Sequence, residues 1–497
     1  MATTSTHNSS EQEFKRSLSL TDAILIVAGS MIGSGIFIVS ADMARNVGSA
    51  GWLILIWLIT GIMTVFAAIT YGELSSMYPK AGGQYVFLRE AYNPLMGFLY
   101  GWSFFSVIQT GTIAAVGVAF SKFAGYFIPS LKMIDENILV QLGDFKLYPA
   151  QLVSILLLIF LTWVNTRGVK EGKWIQKLFT SVKLFSLFGL IIFGILLAAD
   201  ANIWDANWTD AFTMKHTISD DGGKSWNLLQ VVDSPTLMLA LVSSAMVGSV
   251  FSSVAWENVT FIAGEIKNPQ RNVGLSLFLG TLIVTIIYIA INIMYLAVLP
   301  LFPTTTAGVY EVNQGLSIAF APEDRVATAA SFNIFGNMGA LVIAVMIMIS
   351  TFGCNNGLIL TGARVYYTMA KDNLFFKKAG TLNKNGVPSW ALWVQCFWAS
   401  ILCLSGRYGV LLDYVVFVTL LFYITTIYGV FRLRKSKPNM ERPYKTFGYP
   451  LIPIIYFFLA GSMAIGLLIA KWETSLFGLI IVAIGIPIYF YLKRKQP

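Results

Sequence analysis

The chain has 497 residues, 34 Lys plus Arg against 25 Asp plus Glu, and a formal net charge of +9. Only 12% of its residues are charged and 56% are apolar, whereas soluble proteins carry about 25% charged residues. So little charge cannot clothe several soluble cores, which excludes an ordinary soluble protein. Uncharged runs at Ala23 to Ala41, Leu95 to Ser121 and Ser331 to Gly362 exceed the roughly 18 residues that mark a candidate membrane-crossing helix. The expectation is an all-α polytopic membrane protein. A membrane β-barrel does not fit, because its strands are short alternating segments.

In chain order, the polar stretch from Met1 to Arg16 shows no cleavable signal pattern before Ala23. Twelve spans are then predicted, at about 20–41, 51–74, 94–128, 149–166, 175–199, 236–263, 275–299, 329–370, 388–405, 409–431, 450–470 and 474–492. The third, sixth and eighth are longer than a bilayer requires and are expected to tilt, bend or project. An even number of spans puts both termini on one side. With that side cytoplasmic, 24 of the 34 basic residues fall in inside segments and nine at the outer side, while Lys183 lies within span five. This is the positive-inside pattern of a multi-pass membrane protein with cytoplasmic termini.

The organisation read from these spans is a tail at 1–17, five spans over 18–199, an outer loop at 200–235 and five spans over 236–431. An inner loop at 432–449, two spans over 450–492 and a tail at 493–497 complete it. The basic segments lie beside the inner leaflet, where membrane lipid supplies anionic partners, so the net charge needs no nucleic acid. Cys354, Cys396 and Cys403 all lie in apolar stretches, and no disulfide framework is evident. His7 and His216 lie in a tail and an outer loop. No metal-ligand spacing, phosphate-cradling loop or catalytic constellation emerges, so no cofactor, metal or enzymatic activity is expected.

Two spans are irregular. Span one contains Gly29-Ser30-Met31-Ile32-Gly33-Ser34-Gly35, and span six contains Phe251-Ser252-Ser253-Val254-Ala255-Trp256-Glu257-Asn258. Small-residue helix packing explains the glycines equally well in isolation. Interruptions at corresponding positions of two halves, however, are the best sequence pointer to a transporter substrate site. Five consecutive spans are an odd number, so two such halves necessarily have opposite membrane orientation. Lys183 and Glu257 are intramembrane charges that must pair, reach polar backbone or snorkel to an interface. Glu73, near the inner end of span two, reads as an interfacial carboxylate.

Further motifs extend these observations along the chain: Tyr78-Pro79-Lys80-Ala81-Gly82-Gly83-Gln84-Tyr85, Ala263-Gly264-Glu265-Ile266-Lys267-Asn268-Pro269-Gln270-Arg271-Asn272, Gly362-Ala363-Arg364, Met369-Ala370-Lys371-Asp372 and Arg442-Pro443-Tyr444-Lys445. With the glycine run of span one, the chain resembles the amino acid–polyamine–organocation superfamily, and within it the L-type amino acid transporter group, over about 18–492. The resemblance implies a five-plus-five inverted repeat with broken helices one and six. It assigns the substrate carboxylate to Gly33, Ser34 and Gly35, and the amino group to carbonyls of Met31, Phe251 and Val254. Phe251 becomes an aromatic gate and Trp256 the aromatic after the break. Lys183 would replace a coupling cation against the helix-one backbone, with Ser350 and Cys354 nearby.

This chain departs from close relatives in carrying Val254-Ala255 where paired glycines are common, and Glu257 where Asn is common. Glu257 is therefore a candidate for substrate range. The cysteine that joins animal members to a glycoprotein is absent from the outer segment between spans three and four, so no covalent heavy chain is expected. The function expected is sodium-independent transport of L-amino acids by alternating access, working as an exchanger. Proton-coupled uptake is the alternative, and polyamine transport a weaker one.

Overall fold

The computed structural model describes residues 16–143, 145–218, 225–303, 309–311, 316–405 and 408–494. The first 15 residues (His7 among them), part of the outer loop at 219–224 and the last three residues lie outside that description. The helices are α1 (Leu20–Met31), α2 (Val39–Val47), α3 (Ala50–Met77), α4 (Gly83–Ala91), α5 (Pro94–Ser103), α6 (Gln109–Ala124), α7 (Pro149–Thr166), α8 (Val169–Phe193) and α9 (Ala201–Trp208). They continue with α10 (Pro235–Ser253), α11 (Asn258–Phe261), α12 (Pro269–Val298), α13 (Val326–Lys371), α14 (Ser389–Ser405), α15 (Tyr408–Ser436), α16 (Leu451–Ala470) and α17 (Trp472–Arg494). Among the described residues ten segments are long and apolar enough to cross a membrane, and α1 and α14 are shorter apolar helices. The chain is a polytopic all-α protein.

The long predicted spans deviate from straight helix at identifiable places. Between α5 and α6 the backbone makes a π turn at Phe104–Ile108, and the Thr110 hydroxyl donates to the Phe105 carbonyl at 2.7 Å. Such a turn inserts an extra residue into the helical ladder and re-aims the helix beyond it. α13 is broken at Gly336, whose φ of 67° and ψ of −155° suit a residue without a side chain. Spans one and six do not continue through their irregular segments: α1 stops at Met31 and α10 at Ser253.

Packing relies on small residues at crossings, the usual device where lipid offers no hydrophobic gradient between helices. α3 lies along α12, where a Cβ added at Gly72 or Gly274 would reach the other strand of backbone or the Tyr444 ring. α13 packs between α6 and α8, and α10 against α2 and α16. Outside the helices, β1 (Val140–Leu142) pairs with β2 (Phe145–Leu147) as a hairpin. β3 (Lys215–Ile218), β4 (Ser225–Val231) and β5 (Val309–Glu311) form a second small sheet. That sheet sits on the end of α2, where Thr217 donates to the Arg45 carbonyl at 2.8 Å and the Arg45 guanidinium lies over Trp226.

The end of the molecule carrying α1's start is bound by ion pairs. Glu73, at the inner end of span two, is 1% exposed. Its oxygens accept from Arg434 at 3.0 and 2.7 Å and from the Thr446 amide at 2.7 Å, with Arg442 at 3.4 Å. Partners in the 434–446 segment are remote in sequence, so span position alone does not show that Glu73 is paired. Glu265 pairs with Arg364 at 3.3 Å while its carbonyl accepts from the amides of Ser17 and Leu18. Arg89 and Tyr85 both bind Asp372. Partial burial pushes the Glu90 carboxyl up, but Lys437 and Arg89 outweigh it and hold it below the ordinary range.

Removing one member of a buried pair leaves the other charge uncompensated, at a cost of about 3 kcal/mol. Exposed pairs contribute roughly 0–1 kcal/mol. Glu73→Gln should therefore lower the thermal unfolding midpoint in detergent well beyond Glu90→Gln, whose partner Lys437 is 39% exposed. Equal shifts would contradict this ranking.

Candidate functional site

α1 begins at a capping box, with Ser19 and Asp22 exchanging bonds with each other's backbone, and ends where glycine and serine weaken helix propensity. Past Met31 the backbone turns at Ile32 (φ −74°, ψ 87°), and a short 3-10 turn at Gly35–Phe37 leads into α2. This frees the carbonyls of Gly29, Ser30, Met31 and Ile32 from helical partners. Inside a bilayer such groups must be satisfied by protein or by a wet cavity. Each has a donor. Lys183 Nζ donates to Gly29 O at 2.8 Å and to Ile32 O at 2.7 Å. Cys354 Sγ approaches Ser30 O at 3.3 Å, and Ser350 Oγ approaches Ile32 O at 3.4 Å. Tyr288 OH lies 3.0 Å from Met31 O and 2.9 Å from Ser252 O, joining the two broken helices.

Lys183 is fully buried in α8 and reaches backbone rather than an interface. Sequence reasoning missed Tyr288, although a signal was present. Tyr288, Asn292 and Tyr295 recur at helical spacing in the last part of α12, which is otherwise apolar from Ile286 onward. All three face the break region, with Asn292 accepting from Ser40 at 2.6 Å and Tyr295 donating to Ile36 O at 3.4 Å.

The second break has a different construction. α10 ends at Ser253, Val254 is extended, and Ala255 takes a φ of 67° before α11 starts at Asn258. A side chain in that left-handed region costs roughly 1–2 kcal/mol. Gly35 meets this helix so closely that an added Cβ would fall 2.0 Å from Ser252 Oγ. At Gly33 the nearest atom would be Cys354 Sγ at 3.2 Å. Ser34 Oγ lies 3.0 Å from Tyr408 OH, whose ring makes an edge contact with Phe251 at 6.0 Å. Tyr408 is a further residue that sequence reasoning did not single out.

The structure therefore brings Met31, Gly33, Ser34, Gly35, Phe251, Lys183, Ser350 and Cys354 to one crossing of broken helices. Trp256 and Glu257 face another set of neighbours. Trp256 packs edge-on to Tyr71 at 4.7 Å and against Tyr423 at 5.3 Å. Glu257 Oε2 accepts from Tyr423 OH at 2.6 Å, so its carboxyl is engaged with α15. Val254 and Trp256 line a cavity of about 20 Å³ with Thr60, Thr64, Ser253 and Tyr423, enough for about one water. Both polar atoms of the buried Asn258 side chain lack a hydrogen-bond partner.

On the opposite side of Tyr408 opens a cleft of about 600 Å³, lined by Asp42, Arg45, Lys122, Asp324, Asp413 and Lys471 among others. Lys471 pairs with Asp413 at 2.6 Å, and Arg45 with Asp324 at 2.8 Å. Partial burial pushes the Asp324 carboxyl up, but Arg45 and Lys122 together hold it below the ordinary range. Tyr408 forms part of this cleft's wall while its hydroxyl touches Ser34 and its ring meets Phe251.

A family model described as amino acid permease matches residues 18–490. The serine/threonine exchanger SteT of Bacillus subtilis (strain 168) is 28% identical over 489 residues, covering 97% of this chain and 98% of that protein. The b(0,+)-type amino acid transporter 1 of Mus musculus is 27% identical over 484 residues, 96% of this chain and 88% of its own length. The large neutral amino acids transporter small subunit 2 of Homo sapiens is 26% identical over 481 residues, 96% and 80% respectively.

The tight approach at Gly35 gives a direct test of the crossing. Gly35→Ala should push the first break away from Ser252 and lower ligand affinity at least about tenfold, because backbone contacts tolerate no such displacement. Ser252→Gly in the same chain removes the two nearest clashing atoms and should restore part of the loss. Unchanged affinity in Gly35→Ala, measured by scintillation proximity on folded protein, would show that this crossing does not hold the ligand.

Proposed function

The chain belongs to the amino acid permease family, and on that premise we propose that it is a sodium-independent exchanger of L-amino acids working by alternating access. The observation that carries this reading is the Lys183 ammonium held on the Gly29 and Ile32 carbonyls. A fixed cation at that place makes a bound metal cation redundant for joining α8 to the first break. The substrate zwitterion has two ends of opposite charge. Amides of Ser34 and Gly35 offer donors to its carboxylate, the Gly33 amide joins them only by leaving Met31 O, to which it donates at 2.8 Å, and carbonyls of Met31, Phe251 and Val254 are the acceptors for its ammonium. Met31 O already accepts from the Gly33 amide at 2.8 Å and from Tyr288 OH at 3.0 Å, which take up both of its lone pairs, so the ammonium reaches this oxygen only in place of one of them. Phe251, with Tyr408, forms the roof on the side of the cleft, and Trp256 flanks the second break.

In the same reading spans one to five and six to ten form opposed repeats, the termini are cytoplasmic, and the protein lies in the cell membrane. No covalent heavy chain is required, since the outer segment 125–148 has no cysteine and Cys354, Cys396 and Cys403 are buried. Glu257 tunes the substrate range, its carboxyl beside Tyr423 favouring polar side chains. A second reading, proton-coupled uptake, is supported by the same buried Glu257–Tyr423 pair, because a carboxyl inside a membrane protein is a ready proton carrier.

Proteoliposomes separate the two. Exchange requires that labelled amino acid enter vesicles preloaded with unlabelled amino acid far faster than empty ones, with choline replacing sodium. Uptake into empty vesicles driven by inward acidity would favour the second reading, and obligatory sodium would refute the first. Lys183→Ala should insert normally yet lose at least about tenfold in flux, and Lys183→Arg should recover little, since a planar guanidinium cannot reproduce the compact ammonium's contacts. Full flux in Lys183→Ala would reduce the lysine to a packing role.

Glu257→Gln retains volume and hydrogen bonding while removing a possible charge. Competition assays should show polar or basic amino acids losing more affinity than small apolar ones. A uniform shift across the panel would assign Glu257 to packing or gating instead.

A further inference from the structure

We propose that the groove between α3, the first three turns of α12 and the segment 443–447 is a binding site for one anionic phospholipid. The groove has a volume of about 650 Å³, and its origin is steric. α3 and α12 touch at Gly72 and Gly274, and the Tyr444 ring wedges against the same point, 2.9 Å from a Cβ built at Gly72. The surfaces diverge around this wedge and leave a trough that protein does not fill.

The trough has a polar end and an apolar floor. Gln270 and Arg271, both exposed, line it from the first turn of α12, while Leu275, Phe278 and Ile69 line it further along. Phe447, 73% exposed, forms the edge. Four other arginines at this end are committed to carboxylates, Arg434 and Arg442 to Glu73, Arg364 to Glu265 and Arg89 to Asp372, while Arg432 lies over the Tyr92 ring. Among the described residues no carboxylate pairs with Arg271. Lys267 and Lys445 are exposed and flank it in sequence or across the groove. Glu441, the acidic residue of the same loop, is not part of the lining.

An unpaired cation at the mouth of an apolar trough, on the membrane-facing end rich in basic residues, matches an amphiphile with an anionic head and a hydrocarbon tail. Basic pockets between helices at such an interface are the expected sites for acidic headgroups. Free phosphate would satisfy Arg271 alone and leave Leu275, Phe278 and Phe447 uncovered, so the occupant is the lipid. Bound there, it bridges the α3–α12 pair to the segment that Glu73 already holds, and adds to closure of this end.

Native mass spectrometry of the delipidated full-length protein tests this, with phosphatidylglycerol, phosphatidylcholine and inorganic phosphate as probes. One phosphatidylglycerol should be retained roughly fivefold more strongly than phosphatidylcholine, the effect expected of one basic residue at a membrane surface. Inorganic phosphate should neither bind nor displace it. Arg271→Gln should abolish the preference, Arg271→Lys should keep it, and Lys493→Gln, on α17 away from the groove, should not change it. Equal retention of both lipids, displacement by phosphate, a preference that survives Arg271→Gln, or equal loss in Lys493→Gln would each overturn the proposal.

Discussion

Four carbonyls at the end of α1 set the constraint around which the centre of this protein is arranged. In water their lost helical bonds would be replaced by solvent at little cost. In hydrocarbon each unsatisfied group costs several kcal/mol. The donors come from three other helices: Lys183 from α8, Tyr288 from α12, and Ser350 with Cys354 from α13. A single interrupted helix thus fixes the positions of its neighbours. Tyr288 extends the arrangement to α10 through Ser252 O, so the two breaks cannot separate without giving up a shared hydroxyl.

The two ends of the molecule are closed differently. At the end carrying α1's start, Glu73, Glu265 and Asp372 each gather donors from distant segments. At the other end, ion pairs line a cleft that narrows onto Tyr408 rather than filling it. Tyr408 joins this cleft to the first break, since it lines the one and touches Ser34 of the other. Glu73 and the Glu265–Arg364 pair are buried at the first end, whereas Asp324 and Lys471 stay partly exposed beside the cleft.

Much of this was legible in the sequence because lipid imposes strong rules. Uncharged length gave the spans, and the seven-residue glycine–serine run and the Phe251–Asn258 stretch marked both breaks. Lys183 was conspicuous as a charge in hydrocarbon. What escaped was anything carried by side chains that are unremarkable in membrane helices. Tyr288 and Tyr408 read as ordinary aromatics, since nothing local shows which hydroxyl meets a freed carbonyl. The pairing of Glu73 was not legible because its partners, Arg434, Arg442 and Thr446, lie 361 to 373 residues onward. Glu257 stood out as a carboxylate in an apolar span, yet its bond to Tyr423 required knowing that α15 crosses there.

The two breaks also invert the roles that their compositions suggest. The glycine-rich first break would be taken as the one needing unusual backbone angles, yet Gly29, Gly33 and Gly35 are absent from the positions of positive φ. Their missing side chains serve approach, letting Ser252 and Cys354 come within contact of the backbone. The second break has no glycine between Phe251 and Asn258, and there Ala255 takes φ 67°. It stores roughly 1–2 kcal/mol of backbone strain that glycine would not. Geometry at the first break is imposed from outside, by donors and close neighbours, so it changes when those neighbours move. At the second it is imposed partly by a strained residue that gains by relaxing. A rocking motion that withdrew α8 and α12 from the first break would then meet a second break already biased toward rearrangement.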